Sequence, residues 1–290
     1  MRAFEDYHPL PVAFSLLAAA GVGMFSMDPL VLSFSLLGAL SYFLILNGSR
    51  EGKMHLFALL IFLLMAIINP LTYHNGVTVL FVMNGLPVTK EALFYGFAAG
   101  GMIIGVLYWF RCFSQVMTSD KLMYLMAGIS TKLSLVISMA LRYVPLFRQQ
   151  HQKIRQSQMA LGLYKEENIV DSFRGNLRIF SVMVTWALEN GVITADSMAA
   201  RGYGVGKRTH FSLFRFRMRD GILLGCAAVL LLLSLLGLSG RTIVYYPAIQ
   251  SPHFTWQAGI GYLSYALLCL LPALTHGKEA LQWHFSSWKK

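Results

Sequence analysis

Arg201 carries the clearest chemistry in this 290-residue sequence. It stands in Ser197-Met198-Ala199-Ala200-Arg201-Gly202-Tyr203-Gly204, at the end of a helix-like run. Its guanidinium is permanently charged and offers a planar fork of donors that matches a carboxylate. Ala200 and Gly202 on either side are small enough for another protein's backbone to come close. Small-Arg-small at a helix end reads as a plug for a partner's groove, not as a reactive centre.

No catalytic constellation accompanies it. The run Gly202-Tyr203-Gly204-Val205-Gly206-Lys207-Arg208-Thr209 has the glycine density of a phosphate-binding loop. It fails that pattern twice. Arg201 stands where the first glycine is needed, and Arg208 stands where Ser or Thr must follow the lysine. The run reads instead as a flexible basic exit from the helix, each basic residue worth about 1 kcal/mol against anionic headgroups. The eight histidines are dispersed with no pair at i,i+4, so no metal site is expected, and His210 reads as a solvated loop residue. Cys112, Cys226 and Cys269 lack metal or redox spacing and read as small apolar fillers. No catalytic residue, cofactor or metal is assigned.

The elements that must hold Arg201 are membrane elements. Hydrophobic residues make up 56% of the chain and charged residues 13%, where a soluble domain carries about 25% charged. No cleavable signal peptide is expected: Glu5, Asp6 and Pro9 interrupt the N-terminus, and no small-residue cleavage site follows the first apolar run. Apolar runs cover 10–27 and 29–46, a helical hairpin turned at Asp28-Pro29, then 54–70, ending at Asn69-Pro70. Each is near the lower limit of the roughly 17–25 residues that cross a bilayer. Val77–Met83 and Leu86–Thr89 are rich in β-branched residues around Asn84-Gly85, the strongest short hairpin signal. Pro87 confines its strand to an edge. A fourth span covers about 91–111. Its Gly96, Gly100, Gly101 and Gly105 form small-residue seams, for another subunit or, as the favoured reading, for internal packing. Two further spans cover 220–238 and 257–275, joined by an outer loop with Tyr245-Tyr246-Pro247 and Trp256.

Charge orients the spans. Six crossings leave only Lys90 and Arg241, of 24 Lys and Arg, on the outer side. Both termini are therefore expected in the cytoplasm, and the net charge of +11 reflects cytoplasmic loops rather than nucleic-acid binding. The apolar run 121–141 has basic residues at both ends, so it is expected to be embedded or re-entrant rather than crossing. Arg142-Tyr143-Val144-Pro145 is then expected to bend the chain, with Arg142 and Pro145 as a hinge, into a polar helix over about 146–162. A second helix, about 172–200, carries Phe173, Leu177, Phe180, Val184 and Leu188 at helical spacing. The block 142–219 holds 13 Lys and Arg against five Asp and Glu, net +8, and reads as a docking platform for soluble proteins.

Three stretches carry a resemblance: Leu141-Arg142-Tyr143-Val144-Pro145-Leu146, Ile154–Leu163 with Ala160-Leu161-Gly162, and Ala195–Gly204 with Ala200-Arg201-Gly202. Together they resemble the transmembrane (T) component of energy-coupling factor transporters, a family that includes the membrane subunit of cobalt and nickel uptake systems. The resemblance covers roughly 28–219, and Asn69-Pro70 and Thr118–Leu122 fit the pattern. It implies an all-α polytopic membrane protein with about six transmembrane helices, two long cytoplasmic coupling helices and a small extracellular β-hairpin. Three parts follow: 1–111 with four spans, 112–219 with the coupling helices, and 220–290 with two spans. It also implies that Ala160-Leu161-Gly162 and Ala200-Arg201-Gly202 insert into grooves on two ABC ATPase subunits, identical or not.

The first motif departs from the family, with Leu161 where arginine is usual. An apolar groove on the ATPase, compensation by Arg155, or a weaker contact would each accommodate this. On this reading the chain hydrolyses nothing. It relays motion to a substrate-binding S subunit for vitamin or metal-ion uptake, in a prokaryotic plasma membrane. The alternatives are a stand-alone secondary transporter or channel, which would need intramembrane charges or a repeat, and a membrane enzyme built on sparse polar groups such as Asn69 and His74.

Overall fold

The structure is a computed structural model that describes residues 4, 7–48, 51–73, 76–83, 86–163, 169–206, 214–241, 243–250, 253 and 255–287. The expectations for His74, the Asn84-Gly85 turn, His210 and the Lys207–Thr209 run fall outside the described residues, as do Arg2, Lys289 and Lys290. Among the described residues there are nine helices and one two-stranded sheet. They form two compact units, residues 1–122 with 214–290, and residues 123–213.

The first unit is the membrane block. Its helices are α1 (Pro9–Phe25), α2 (Pro29–Asn47), α3 (Gly52–Thr72), α4 (Lys90–Val116), α8 (Met218–Leu238) and α9 (Trp256–Ser287). α2, α3, α4, α8 and the Trp256–Gly277 part of α9 are long and apolar enough to cross a membrane, and α1 is a shorter apolar helix of 17 residues. The chain is a multi-pass membrane protein. Local chemistry sets the helix starts. Asp28 accepts from Leu30 N at 3.0 Å and Pro29 opens α2, so the turn between the first two helices is made by a capping carboxylate and a pre-set φ. Ser35, Tyr42, Phe43, Trp109 and Tyr265 fill the core. Trp109 Nε1 donates to Ser35 Oγ at 3.0 Å, and Tyr265 OH donates to Ala19 O at 2.9 Å. Most other apolar side chains on α3 and α8 face outward, as lipid-facing helices require.

The glycine seams of α4 are used internally. A Cβ at Gly96 would meet Met65 O at 3.1 Å and Ala66 Cα at 3.3 Å, and one at Gly100 would meet Phe62 at 3.0 Å, so α3 lies on this seam. Gly101 and Gly105 face Leu36 of α2. They are not an open surface for another subunit.

The hairpin forms as β1 (Val79–Met83) and β2 (Leu86–Thr89), antiparallel, with Val82 opposite Pro87 and a register irregularity between Val79 and Phe81. Glu91, the second residue of α4, accepts from Thr78 Oγ1 at 2.7 Å and so ties the hairpin to the helix below it.

At the other end of the block, His8 caps α1. Its Nδ1 accepts from Leu10 N at 3.3 Å, its backbone N–H donates to Asp220 Oδ1 at 2.9 Å, and its ring packs against Phe216 at 5.2 Å. Burial lowers its pKa, against the opposing pull of Asp220. The folded chain thus binds this proton less tightly than the unfolded chain. Stability is full above the unfolded value of about 6.5 and falls as pH drops through the lowered folded value. The expected result is a thermal transition in detergent that moves down between pH 7.5 and 5. His8→Asn, which keeps an acceptor at the cap, should flatten this dependence, and an unchanged slope would remove His8 as its source.

The run 121–141 is read from the sequence as embedded or re-entrant. Residues 121–141 do not form one continuous helix. α5 (Ser119–Ile129) stops at Ser130, and α6 runs without interruption from Thr131 to Ala160. Ser130 is the reason: its extended backbone and its hydroxyl, which accepts from Leu133 N at 3.5 Å, make it an N-cap. α5 has 11 residues, about 16 Å of rise. Alone it cannot cross a hydrocarbon core of about 30 Å.

At Arg142–Pro145, where the sequence predicts a bend, α6 stays helical through both residues, which are exposed. A proline within a helix removes one backbone bond and costs about 3 kcal/mol. Here contacts to α7 (Ile169–Ala200) flank it. Tyr143 OH pairs with Thr194 Oγ1 at 2.7 Å, and Phe147 packs edge-on to Trp186 at 5.5 Å. These tertiary contacts hold the helix together across Pro145.

Candidate functional site

α6 and α7 run antiparallel. Tyr143 meets Thr194, Phe147 meets Trp186, and Ile154 packs with Ile179 and Met183. The face of α7 turned toward α6 is therefore Gly175, Ile179, Met183, Trp186, Asn190 and Thr194, at spacings of three and four. The stripe singled out in the sequence, Phe173, Leu177, Phe180, Val184 and Leu188, lies on another face and is exposed, Phe180 by 65% and Leu188 by 68%.

The two candidate motifs end these helices in the same way. At α6, Gly162 has φ +67°, Gly162 N–H donates to Met159 O at 3.0 Å, and Leu163 N–H donates to Gln158 O at 2.9 Å. At α7, Gly202 has φ +81°, Gly202 N–H donates to Ala199 O at 3.0 Å, and Tyr203 N–H donates to Met198 O at 3.0 Å. Paired 5→2 and 6→1 bonds around a left-handed residue define a Schellman cap. The small-X-small pattern follows from this geometry. Ala160 and Ala200 complete the last turns. The glycines are required because a side chain in the left-handed region costs roughly 1–2 kcal/mol. Leu161 and Arg201 occupy the cap position itself.

Both cap residues are exposed, Leu161 by 69%. A Cβ at Gly162 or Gly202 would meet nothing within 4 Å. Each end is thus a bare tip on which one side chain projects, Leu161 on α6 and Arg201 on α7. The cap bonds are all backbone bonds, so the tip keeps its shape whatever the cap residue is. Because the pair is antiparallel, the tips lie at opposite ends. From the Ile154–Ile179 register they are separated by about 27 residues of helix, roughly 40 Å.

Arg155 is not at a tip. It is half-buried on α6 and lies six residues before Leu161, about 9 Å down the axis and on a different face. The residues that sequence reasoning missed are those that position the tips: Tyr143, Phe147, Ile154, Ile179, Trp186 and Thr194. Their signal was available as a second periodic stripe on α7, shorter on large aliphatics than the exposed one. Three acidic groups of the membrane block hold its own backbone in place. Asp28 caps α2, Glu91 holds the hairpin, and Asp220 accepts from His8 N and Arg217 N.

Comparison with known proteins places the chain in a family. A family model described as "Cobalt transport protein", CbiQ, matches residues 10–211. The energy-coupling factor transporter transmembrane protein EcfT of Lacticaseibacillus paracasei is 33% identical over 102 residues, 34% of this chain and 39% of that protein. EcfT 1 of Listeria monocytogenes is 31% identical over 101 residues, 34% of this chain and 38% of that protein. EcfT of Listeria innocua is 33% identical over 101 residues, again 34% and 38%. The chain therefore matches about two fifths of the length of these curated relatives. The family model reaches from the first membrane helix to beyond the second capped tip, more than two thirds of the 290 residues, and the chain belongs to the cobalt transport protein family CbiQ.

Proposed function

We propose that the chain is the membrane scaffold of an energy-coupling-factor-type ABC importer, and that its two capped tips dock into grooves on two ATPase subunits. The observation that carries this reading is the pair of identical backbone caps at opposite ends of one clasped antiparallel helix pair. One rigid element with two tips roughly 40 Å apart suits two separate partners that move together. Closure of the ATPases on ATP would bring their grooves closer. The clasp along Tyr143–Thr194, Phe147–Trp186 and Ile154–Ile179 would pass that displacement along the helices rather than absorb it locally.

The exposed apolar stripe of α7 supports the second half of the reading. A contiguous apolar face on an amphipathic helix needs a partner or lipid to cover it. A substrate-binding S subunit shifting against this face is the proposed path for a vitamin or metal ion. The glycine seams of α4, filled by α2 and α3, play no part in it. Orientation follows from the charge count, with both termini in the cytoplasm of a prokaryote. Leu161 at its tip favours an apolar groove on that ATPase over compensation by Arg155, which the helix holds on a different face.

The test is composition and autonomy. Affinity purification of the tagged chain from its native membrane is expected to bring down nucleotide-binding polypeptides in a ratio of two per chain, with one small membrane subunit. The chain reconstituted alone is expected neither to hydrolyse ATP nor to move solute. Transport by the isolated chain would replace this reading with the stand-alone carrier.

A further inference from the structure

The membrane block carries a half-open cavity of about 930 Å³ that the proposed relay does not use. α1 and α8 run side by side in the same direction. They are joined at one end through His8 and Asp220 and part at the other, where Ala18, Gly21 and Val22 face Leu231 and Leu235 across the space. The wall opens toward the lipid side: Phe25 at its edge is 88% exposed and Leu235 is half exposed. Gly21 keeps the space clear, since a Cβ there would meet nothing within 4 Å. Glycine inside a helix costs about 0.5–1 kcal/mol relative to alanine, so this small residue lowers helix stability while leaving volume.

The rim carries one charge of each sign. Arg241 donates to Thr255 Oγ1 and makes no ion pair among the described residues. Asp28 is 5% exposed, and its oxygens accept from Leu30 N and from Tyr262 OH. Tyr245, whose hydroxyl donates to Met27 O at 2.7 Å, and Tyr246 close the same rim. Interior space in a protein is normally filled. Water does not fill an apolar void of this kind without polar partners on its walls, and here the polar groups are confined to the rim. A molecule that satisfies both parts has an apolar chain and a head bearing an anion beside a cation.

We propose that this cavity is a binding site for one zwitterionic phospholipid of the surrounding leaflet. An acyl chain would lie between α1 and α8, the phosphate would pair with Arg241, and the amine would be turned toward Asp28. Two features separate this from ordinary boundary lipid: the Gly21 void, which admits one chain into the protein, and the pairing of opposite charges at its mouth.

The test uses the full chain in nanodiscs of equal phosphatidylethanolamine and phosphatidylglycerol, released into mild detergent and weighed by native mass spectrometry. One phospholipid is expected to stay bound, with the zwitterion preferred about tenfold, the size of one charge-assisted contact. Asp28→Asn, which keeps an N-cap acceptor for α2, should abolish that preference, and Arg241→Gln should weaken retention of both lipids. Gly21→Leu should remove the bound lipid while the chain elutes as a folded species, and Gly225→Leu, on α8 away from the cavity, should keep it. Should Gly21→Leu not fold, Asp28→Asn and the head-group ratio of the unaltered chain decide. No retained lipid, a head-group ratio equal to that of the disc, or full retention in Gly21→Leu would each overturn the assignment.

Discussion

Arg201→Glu is expected to release the ATPase subunits from the detergent-solubilised complex while the chain itself remains inserted and folded. Arg201 sits at the cap position of α7, exposed, between the last helical alanine and a left-handed glycine. A buried interface arginine is commonly worth about 2 kcal/mol or more on truncation, about thirtyfold in affinity. Charge reversal adds repulsion against any acidic groove that receives it. The cap does not depend on the side chain, because its bonds run from Gly202 N and Tyr203 N to Ala199 O and Met198 O. The remaining local effect is an acidic residue at a helix C-terminus, roughly 0.3–1 kcal/mol, too little to unravel a 32-residue helix. Membrane yield and elution volume should therefore hold while ATPase recovery falls. Leu161→Arg is the contrast. It restores at the first tip the residue type present at the second, on the same backbone cap, and recovery of both ATPases is expected to be maintained or improved. Undiminished recovery with Arg201→Glu would sink the docking role, and loss of the complex with Leu161→Arg would show that the first groove demands an apolar tip.

Gly237→Val is expected to be the most destabilising single change in the membrane block. α8 and α9 approach there backbone to backbone. A Cβ on Gly237 would lie 2.6 Å from Gly261 Cα and 2.8 Å from both Gln257 O and Gly261 N. None of these atoms is the end of a flexible side chain, so the helices themselves must separate. Overpacking a well-filled site costs typically 1–3 kcal/mol, and a backbone obstacle places this one at the upper end. A loss of about 3 kcal/mol should lower the melting temperature in detergent by roughly 10 °C. Gly225→Val on the same helix, where a Cβ meets nothing within 4 Å, serves as the control. Equal melting of the two variants would show that α8 and α9 are not held at this contact.

Much of this protein is legible in the order of its residues because the signals are local. Asp28-Pro29 announces the start of α2, and an acid and a proline set that turn whatever packs around it. Membrane length sets where apolar runs begin and end, since backbone groups must be satisfied inside each segment. The two strands around Asn84-Gly85 were readable from β-branched residues. The ends of α6 and α7 were visible as Ala160-Leu161-Gly162 and Ala200-Arg201-Gly202, because a glycine past the last turn is a local requirement of the cap.

What the sequence left open depended on contacts between residues far apart in the chain. Two periodic stripes run along α7. Only the packing of Ile154 on Ile179 and of Phe147 on Trp186 chose the less aliphatic one as the buried face and left Phe180 and Leu188 exposed. Pro145 was read as a bend, and clasping contacts on either side keep α6 helical through it, while the helix break upstream falls at Ser130. The α4 glycines could have faced another protein, and α3 and α2 filled them. The sequence by itself determined where the long apolar runs lie, where α6 and α7 end and which residues stand on their tips. Tertiary structure decided which faces meet, since that depends on partners up to 246 residues away that no local rule can see.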